Sequence, residues 1–399
     1  MSSPSVKEKI QKAAKEFLPE ITSIRRHIHA HPELSFEEHK TVEYVSGQLT
    51  SFEITNQKRA AGTGLVALLE GKNPGKKTIA LRADMDALPI QETNNVEYRS
   101  QNNGVMHACG HDVHTSSLLG AAKILSGLKN DFEGTIKFIF QPAEEKLPGG
   151  ASLMIKDGVL KNPVPQSIIG QHVMPQIVTG KVGFRSGLYM ASTDELYVTV
   201  KGRGGHGAMP HLNIDPVLMA SQIIVALQQV VSRMAQPIMP SVLSFGKVIA
   251  NGATNVIPDE VYMEGTFRTF DETWRATAHK KMKTLAEKIA EGMGGSCDFK
   301  IVRGYPVLKN DAPLTARIRN SAENYMGKEN VTDLDMWMAA EDFAYYSHEA
   351  PACFYRLGVR NEKKGIISPV HTSTFNIDED ALVTGMGLMA WLALEELNV

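Results

Sequence analysis

The sequence contains few cysteines and almost no charge imbalance. Its three cysteines, Cys109, Cys297 and Cys353, are too few and too far apart in the chain to form a disulfide framework. The 42 basic and 44 acidic side chains leave a formal net charge of −2, which gives no field that would attract phosphate backbones or anionic lipid. The composition therefore argues against nucleic acid and membranes as partners.

Long hydrophobic runs are also scarce. The longest nearly apolar stretch, Ala381–Leu394, has 14 residues, fewer than the roughly 20 needed to cross a bilayer, so we expect a buried helix there. The first ten residues lack the apolar core of a secretory signal, and we expect a cytoplasmic protein. The length of 399 residues is enough for about two to three domains.

The order of apolar runs predicts an α/β domain with a second domain inserted into it. Strand-like runs alternate with helical patterns up to residue 185, and the segment 186–303 then follows a β-α-β-β-α pattern with a candidate last strand at 298–302. We therefore expect a catalytic domain formed by 1–185 and 304–399, and an inserted α+β domain between them. The runs 64–69 and 78–81 flank a Gly/Pro turn and predict a β-hairpin.

One short motif carries several metal-ligand residue types. In the segment 106–114, Cys109 and His111 are two residues apart, and extended backbone would turn both side chains to the same side. A thiolate and an imidazole suit a borderline metal such as zinc. Taken alone, the motif also fits a loop with surface histidines.

Polar side chains also follow several predicted strands. Glu144 and Glu145 come directly after one apolar run, His172 ends another, and Asp86 follows a third. Open α/β sheets bind ligands at the carboxyl ends of their strands. One glutamate could bind a metal while its neighbour acts as a general base, although, for the pair taken alone, an acidic helix start is the more common case. Three such strand ends together favour a functional site.

These motifs, taken in order, resemble a known family. The sequence is similar to the metallo-amidohydrolases that include hippurate hydrolases, N-acyl-amino-acid deacetylases and auxin-conjugate hydrolases, within the larger aminoacylase and dipeptidase metallopeptidase family. The resemblance covers about Ile24 to Leu394. It is carried by Arg25–Leu34, Arg82–Pro89, Met106–His111, Gln141–Glu145, Gln171–Pro175, Gly204–Ala208, Asn255–Asp259, Gly265–Thr269, Glu341–Ala344 and Pro369–His371.

The resemblance implies a mixed-sheet α/β di-metal hydrolase domain with an inserted ferredoxin-like lid and dimerisation domain. It implies hydrolysis of the amide bond of N-acyl amino acids by a metal-activated water. The implied metal ligands are Cys109, His111, Glu145, His172 and His371. Glu144 would be the general base, Asp86 would orient a ligand histidine, and His206 would stabilise the oxyanion. Asn255 and Arg268 would bind the substrate.

The resemblance also implies two divalent metal ions, manganese or zinc, with cobalt or nickel as further candidates. It implies a homodimer or larger assembly through the inserted domain, with a small-molecule N-acyl amino acid as substrate. His27, His29 and His31 resemble a metal cluster, but a spacing of two on a helix turns them to different faces. Two other functions stay open: a dipeptidase or carboxypeptidase of the same superfamily, and a non-catalytic binding protein on the same fold.

Overall fold

The computed structural model describes residues 4–398, which form two compact units. The first unit runs up to Tyr189 and resumes at Lys309–Met336 and from Asp342 onward. The second unit comprises Met190–Leu308 and Trp337–Glu341. The short segment Trp337–Glu341 lies outside the predicted inserted range 186–303. It groups with the second unit because the backbone N–H of Ala191 donates to the carbonyl oxygens of Trp337 and Ala339.

The helices and strands have the following bounds. The helices are α1 Val6–Ala30, α2 His39–Ser51, α3 His111–Ser126, α4 Gly150–Lys156, α5 Pro216–Gln229, α6 Glu272–Gly292, α7 Ala312–Met326, α8 Ala344–Glu349 and α9 Ala381–Leu397. The strands are β1 Asn56–Ala60, β2 Gly64–Glu70, β3 Thr78–Asp84, β4 Thr135–Gln141, β5 Ser167–Val178, β6 Val182–Phe184, β7 Gly187–Met190, β8 Asp194–Lys201, β9 Gly205–His206, β10 Ser241–Ile249, β11 Val256–Ile257, β12 Glu260–Thr269, β13 Ser296–Arg303, β14 Leu308–Asn310, β15 Val331–Asp333 and β16 Ala352–Arg360.

The first unit is built on an eight-stranded mixed sheet in the order β1-β2-β4-β3-β5-β16-β6-β15. Strands β4, β3, β5 and β16 are parallel neighbours, whereas β1 and β2 pair antiparallel with their neighbours. Strand β6 is antiparallel to β16 and parallel to β15. This confirms the predicted mixed-sheet α/β fold. The central strands are buried along their whole length because helices cover them, which explains their continuous apolar runs.

The predicted hairpin between residues 64–69 and 78–81 is wrong. Both segments are strands, β2 and β3, but β4 lies between them and pairs with each. The Gly/Pro turn sends the chain beside the residues that lead into β4, since Gly71 N–H donates to Gly134 O and Lys72 N–H to Phe132 O. Turn residues mark where a strand ends, but they do not identify its neighbour in the sheet.

The apolar run 381–394 forms most of α9, the buried helix of the first unit. Thirteen of its residues are buried, and it packs against α3 and α1. Two glycines allow this close packing, because a Cβ at Gly385 would lie 2.4 Å from Ser117 Oγ in α3, and one at Gly387 would lie 2.4 Å from the hydroxyl of Tyr325. The helix is therefore apolar on all sides because it is surrounded by protein.

The second unit contains a four-stranded antiparallel sheet in the order β10-β12-β8-β13. Two helices, α5 and α6, connect its strands in a β-α-β-β-α-β sequence. Each helix begins at an aspartate: the Asp215 side chain accepts from the backbone N–H of Val217, and the Asp271 side chain accepts from that of Trp274. The apolar face of each helix packs on the sheet to form a separate core.

The helical stretch Pro216–Met234 is long and apolar enough to meet the length and composition criteria for crossing a membrane. Its buried side chains, Met219, Ile223 and Leu227 among them, belong to the core of the second unit. Within this stretch, 28% of the apolar window is buried in the second unit.

Candidate metal centre

Neighbouring parallel strands bring the predicted site residues to one region of the first unit. Asp84, the last residue of β3, is paired with Gln141, the last residue of β4. Asp86 and the two glutamates, Glu144 and Glu145, follow these strand ends. His172 differs from the prediction that it ends its strand, because β5 stays paired with β16 as far as Val178. The centre therefore lies at the carboxyl ends of β3 and β4 and beside the middle of β5.

Gly110 allows the loop with Cys109 to reach β5. It precedes α3 in the left-handed conformation, with φ 86°, which glycine adopts without steric cost. A Cβ at this position would lie 2.6 Å from Val173 Cγ2. The close approach places Cys109 Sγ 3.4 Å from His172 Nε2. Both the conformation and the contact thus require glycine at position 110.

We expect Gly110→Ala to lower the free energy of unfolding by about 2 to 4 kcal/mol, because a left-handed alanine and a steric clash add up. Urea denaturation measures the loss. Gly47→Ala in α2 is the matched control, since nothing lies within 4 Å of its added Cβ and alanine favours a helix. Wild-type stability for Gly110→Ala would contradict this account of the loop.

The five predicted metal ligands and Glu144 lie in overlapping clusters. Within each of three clusters the potential ligand atoms are all within 4.8 Å of one another. The clusters are Cys109–His111–His172, Cys109–Glu145–His371 and His111–Glu144–Glu145. They share members, so the six side chains border one region of the first unit.

Asp86 connects His111 to the two glutamates. Its Oδ1 lies 3.2 Å from His111 Nδ1 and accepts the backbone N–H of Glu144, while its Oδ2 accepts the N–H of Glu145 and the hydroxyl of Ser35. Burial opposes the charged carboxylate, but the hydrogen bond with His111 and these donors keep the pKa of Asp86 below its usual value. An Nδ1–H donated to Asp86 leaves His111 Nε2 free to bind a metal.

The other two imidazoles are also held through atoms other than Nε2. His172 Nδ1 lies 2.7 Å from the carbonyl oxygen of Val173, to which it donates in the tautomer with a free Nε2. His371 is held by its backbone, because its N–H donates to Ala108 O and its φ is 62°. His371 Nε2 is 3.2 Å from Glu145 Oε1. All three histidines therefore direct the same ring atom to the cluster.

The electrostatics of this cluster favour a cation. Burial and the nearby Glu145 carboxylate raise the pKa of the Cys109 thiol, so a thiolate there needs positive charge close by. The thiol and Glu145 in turn raise the pKa of His371 to about 10. Burial opposes a charged His111, but Asp84 and Cys109 raise its pKa well above the usual value. Without a metal, the protonated imidazoles of His111 and His371 supply the positive charge that a bound divalent ion would supply.

Two buried atoms show directly that the cluster fits a metal. Among the described residues, His111 Nε2 and Glu145 Oε1 have no partner in hydrogen-bonding geometry, and they lie 3.9 Å apart. His371 approaches Glu145 Oε1 as an ion pair without that geometry. Buried polar atoms are normally paired. A metal ion bound by imidazole nitrogen, thiolate sulfur and carboxylate oxygen satisfies both.

The remaining predicted site residues, His206, Asn255 and Arg268, belong to the second unit. His206 and Asn255 are brought together, because β9 pairs with β11 and Gly207 N–H donates to Asn255 O. His206 is exposed, and its Nδ1 accepts the N–H of Ala208, which leaves Nε2–H as a donor. Arg268 lies on β12 and donates to Met338 O.

Comparison with known proteins identifies the family. The sequence model of the family described as "Peptidase family M20/M25/M40" matches residues 80–395. The chain belongs to this peptidase family. The match confirms the resemblance read from the motifs, and it includes every predicted ligand and substrate-binding position.

Individual M20 relatives match along most of the chain. The N-acyl-L-amino acid amidohydrolase of Geobacillus stearothermophilus is 46% identical over 306 residues, 76% of this chain and 82% of the relative. Thermostable carboxypeptidase 2 of Saccharolobus solfataricus is 38% identical over 98% of this chain and 99% of its own length. The crystal structure of Bacillus subtilis YxeP, described as a dinuclear metal-binding M20 peptidase, has 34% identity and a TM-score of 0.83, and covers 96% of this chain and 99% of that chain.

Further residues of this M20 member hold the ligands in place. His114 is one, because its Nε2 accepts the N–H of Val173 next to His172, while its Nδ1 donates to Asp84 Oδ1 over 2.6 Å. The sequence shows Asp84 at the end of a predicted strand and His114 three residues after His111. It does not show that they are paired, because the pairing requires β3 and α3 to be adjacent.

Three other histidines of this M20 chain, His27, His29 and His107, belong to none of the potential metal clusters found among residues 4–398. His27 stacks on Tyr44, with ring centroids 4.0 Å apart. His29 is buried against Asp112, which also accepts from Arg25. His107 is fully buried, and burial lowers its pKa to about 3, so this ring is neutral. His27 and His107 are thus packed side chains, and His29 is held by hydrogen bonds.

Proposed function

We propose that this protein is a metal-dependent amidohydrolase that cleaves N-acyl amino acids into an acid and a free amino acid. The observation that carries the proposal is the pair of adjacent glutamates at the end of β4. Glu145 lies against the ligand histidines. A carboxylate oxygen of Glu144 lies within 4.8 Å of the potential ligand atoms of His111 and Glu145. One carboxylate is thus available for metal binding and the other for proton transfer.

In this proposal two divalent ions would be held by Cys109, His111, Glu145, His172 and His371. When bound, these ions would polarise the acyl carbonyl and acidify a water molecule. The thiolate of Cys109 and the imidazoles suit zinc better than magnesium or calcium, and manganese is proposed from the family resemblance. The dinuclear relative and the overlapping clusters support two ions. Asp86 keeps His111 in the tautomer that presents Nε2.

Glu144 carries the protons. It takes one from the attacking water and gives it to the nitrogen of the leaving amino acid, so its charge is restored after each turnover. Its buried position, at 6% exposure, limits competing exchange with bulk water. The backbone N–H of Asp342 lies 3.3 Å from Oε1 and orients the carboxylate.

Three residues of the second unit would complete the reaction. His206 has an available Nε2–H and an exposed ring, so we propose that it donates to the oxyanion that forms on the acyl carbon. Arg268 offers a guanidinium to the substrate carboxylate. Asn255, beside His206 on the paired β9–β11 segment, would bind the substrate backbone.

A substrate panel tests the proposal. N-acetyl, N-benzoyl and N-indoleacetyl amino acids are incubated with enzyme and manganese or zinc, and amine release is measured with and without chelator. We expect cleavage that chelator abolishes. Failure to release amine from every acyl amino acid and every dipeptide would reject the hydrolase proposal.

A second candidate is a carboxypeptidase or dipeptidase of the same family, favoured by the 38% identity with thermostable carboxypeptidase 2. The same proton transfer would serve both substrates, because each has an amide next to an amino acid with a free carboxylate. Dipeptides in the same panel separate the two: cleavage of dipeptides alone would favour the peptidase.

We also propose that the protein works in the cytoplasm as a dimer formed through the second unit. Its free cysteines agree with a reducing compartment. Strand β10 is at an edge of its sheet, and Val242, Val248 and Ile249 on it are exposed. Leu218 and Val225 on α5 are 51% and 72% exposed. Edge strands with exposed apolar side chains pair readily with a second copy.

Light scattering after size-exclusion chromatography should give a mass twice that of the 43.7-kDa chain. We expect Val248→Lys to shift the population to monomer, because it places a charge in the proposed interface. Val164→Lys, at a 68% exposed position of the first unit, is the control and should remain dimeric. A monomeric wild-type protein at working concentration would contradict the dimer.

A further inference from the structure

Ala143, the residue before Glu144, has an unusual backbone conformation. Its φ is 48°, in the left-handed region, and its side chain is fully buried. Residues other than glycine and asparagine seldom adopt this conformation, and where they do, the surrounding structure holds them. The backbone of Ala143 sets the direction in which Glu144 leaves the end of β4.

Glu38 is the side chain that holds this residue. Its Oε1 accepts the N–H of Ala143 over 2.8 Å and also that of Phe36, another left-handed residue, with φ 70°. Its Oε2 accepts the hydroxyl of Thr63 over 2.5 Å. Glu38 is fully buried. The carbonyl oxygen of Ala143, in the following peptide unit, accepts the N–H of Gly150.

Glu38 and Asp86 together bind three consecutive backbone N–H groups. Glu38 takes that of Ala143, and Asp86 takes those of Glu144 and Glu145. Asp86 is already tied to the metal centre through His111. Glu38 contacts none of the predicted ligands in the hydrogen bonds described, so it acts on the base through the backbone alone.

We propose that Glu38 is a positioning residue for Glu144: its carboxylate holds Ala143 in the left-handed conformation that directs Glu144 toward the reacting water. This inference rests on the proposed function, in which Glu144 is the general base. It assigns a catalytic consequence to a buried carboxylate 105 residues away in the sequence.

Glu38→Ala is the first test. We expect kcat to fall about 10- to 100-fold, as for other supporting residues around a catalytic centre. KM and the metal content should change less than about threefold, because the ligands stay in place. Glu38→Gln retains an oxygen that accepts from Ala143 and should keep kcat within about threefold of wild type.

Ala143→Gly distinguishes positioning from general damage. Glycine adopts the left-handed conformation without help, so adding Ala143→Gly to Glu38→Ala should restore kcat at least fivefold. The same change in the wild type should have little effect. Thr63→Val is a matched control that removes another hydrogen bond of Glu38 but leaves Ala143 bonded, and it should keep wild-type kcat.

A readout independent of activity is deuterium exchange of the peptide that contains Ala143. Glu38→Ala should increase its uptake, with no increase for Thr63→Val, even where no substrate has been found. If the wild type cleaves no amide, the proposed function fails, and exchange still tests the hydrogen bond. Unchanged kcat in Glu38→Ala, or no rescue by Ala143→Gly, would overturn the positioning role.

If Glu38→Ala does not fold, Ala143→Val provides the test with Glu38 intact. A β-branched residue strongly resists the left-handed region, so kcat should fall at least tenfold while both metals remain bound. Wild-type kcat in Ala143→Val would contradict the proposal.

Discussion

Glu144→Gln should lower kcat by about 10²- to 10⁴-fold while both metal ions remain bound. The substitution keeps the size of the side chain and its contact with the N–H of Asp342, but an amide cannot accept the proton of the attacking water. Removal of a general base typically costs this much. KM should change little, because Glu144 makes no contact that holds the substrate in the proposed mechanism.

Steady-state kinetics with an N-acyl amino acid and elemental analysis of the purified variant test this together. Glu145→Gln is the matched comparison, because the neighbouring carboxylate faces the ligand histidines and its loss should reduce the metal content instead. Activity equal to wild type in Glu144→Gln would reject Glu144 as the base. A loss of metal in the same variant would place it among the ligands.

Cys109→Ala should reduce the metal content from two ions per chain toward one. The thiol belongs to two of the clusters, one with His111 and His172 and the other with Glu145 and His371, so its removal weakens both. Activity should fall by at least about 100-fold at low metal concentration, since the ions are expected to supply several kcal/mol of transition-state stabilisation. Millimolar manganese or zinc should restore part of it.

Mass-spectrometric metal analysis after desalting measures this loss. Cys297→Ala is the control, because this free cysteine lies on β13 of the second unit and belongs to no cluster of potential metal ligands among the described residues. Two ions in Cys109→Ala, with affinity unchanged, would exclude Cys109 as a ligand.

The sequence revealed the strands and the chemistry better than the neighbours of each strand. The apolar runs of β4 and β5 and the polar residues after them were visible because a buried parallel strand is apolar throughout. The sequence did not indicate that β4 lies between β2 and β3 in the sheet, because no local pattern identifies the neighbours of a strand. The length of β5 was also underestimated, since pairing with β16 continues it beyond His172.

Residues that support the site from a distance were the hardest to predict. His371 was found only by family resemblance, since a histidine in a loop carries no pattern of its own. Glu38 follows another glutamate just before α2, which indicates an exposed helix start and not a buried acceptor. Its partner Ala143 is 105 residues away, and no local pattern indicates such a contact.

The position of β16 has a consequence for how the chain is made. This strand lies between β5 and β6, which are separated by only three residues, yet it is synthesised after the whole second unit. During synthesis the amino-terminal part must leave that place in its sheet open, while the second unit has all its strands and can fold. His371 follows β16, so the ligand set is completed last. A chain that ends just before β16 would thus hold every strand of the second unit but lack an inner strand of the first sheet, and metal capture would mark the end of assembly.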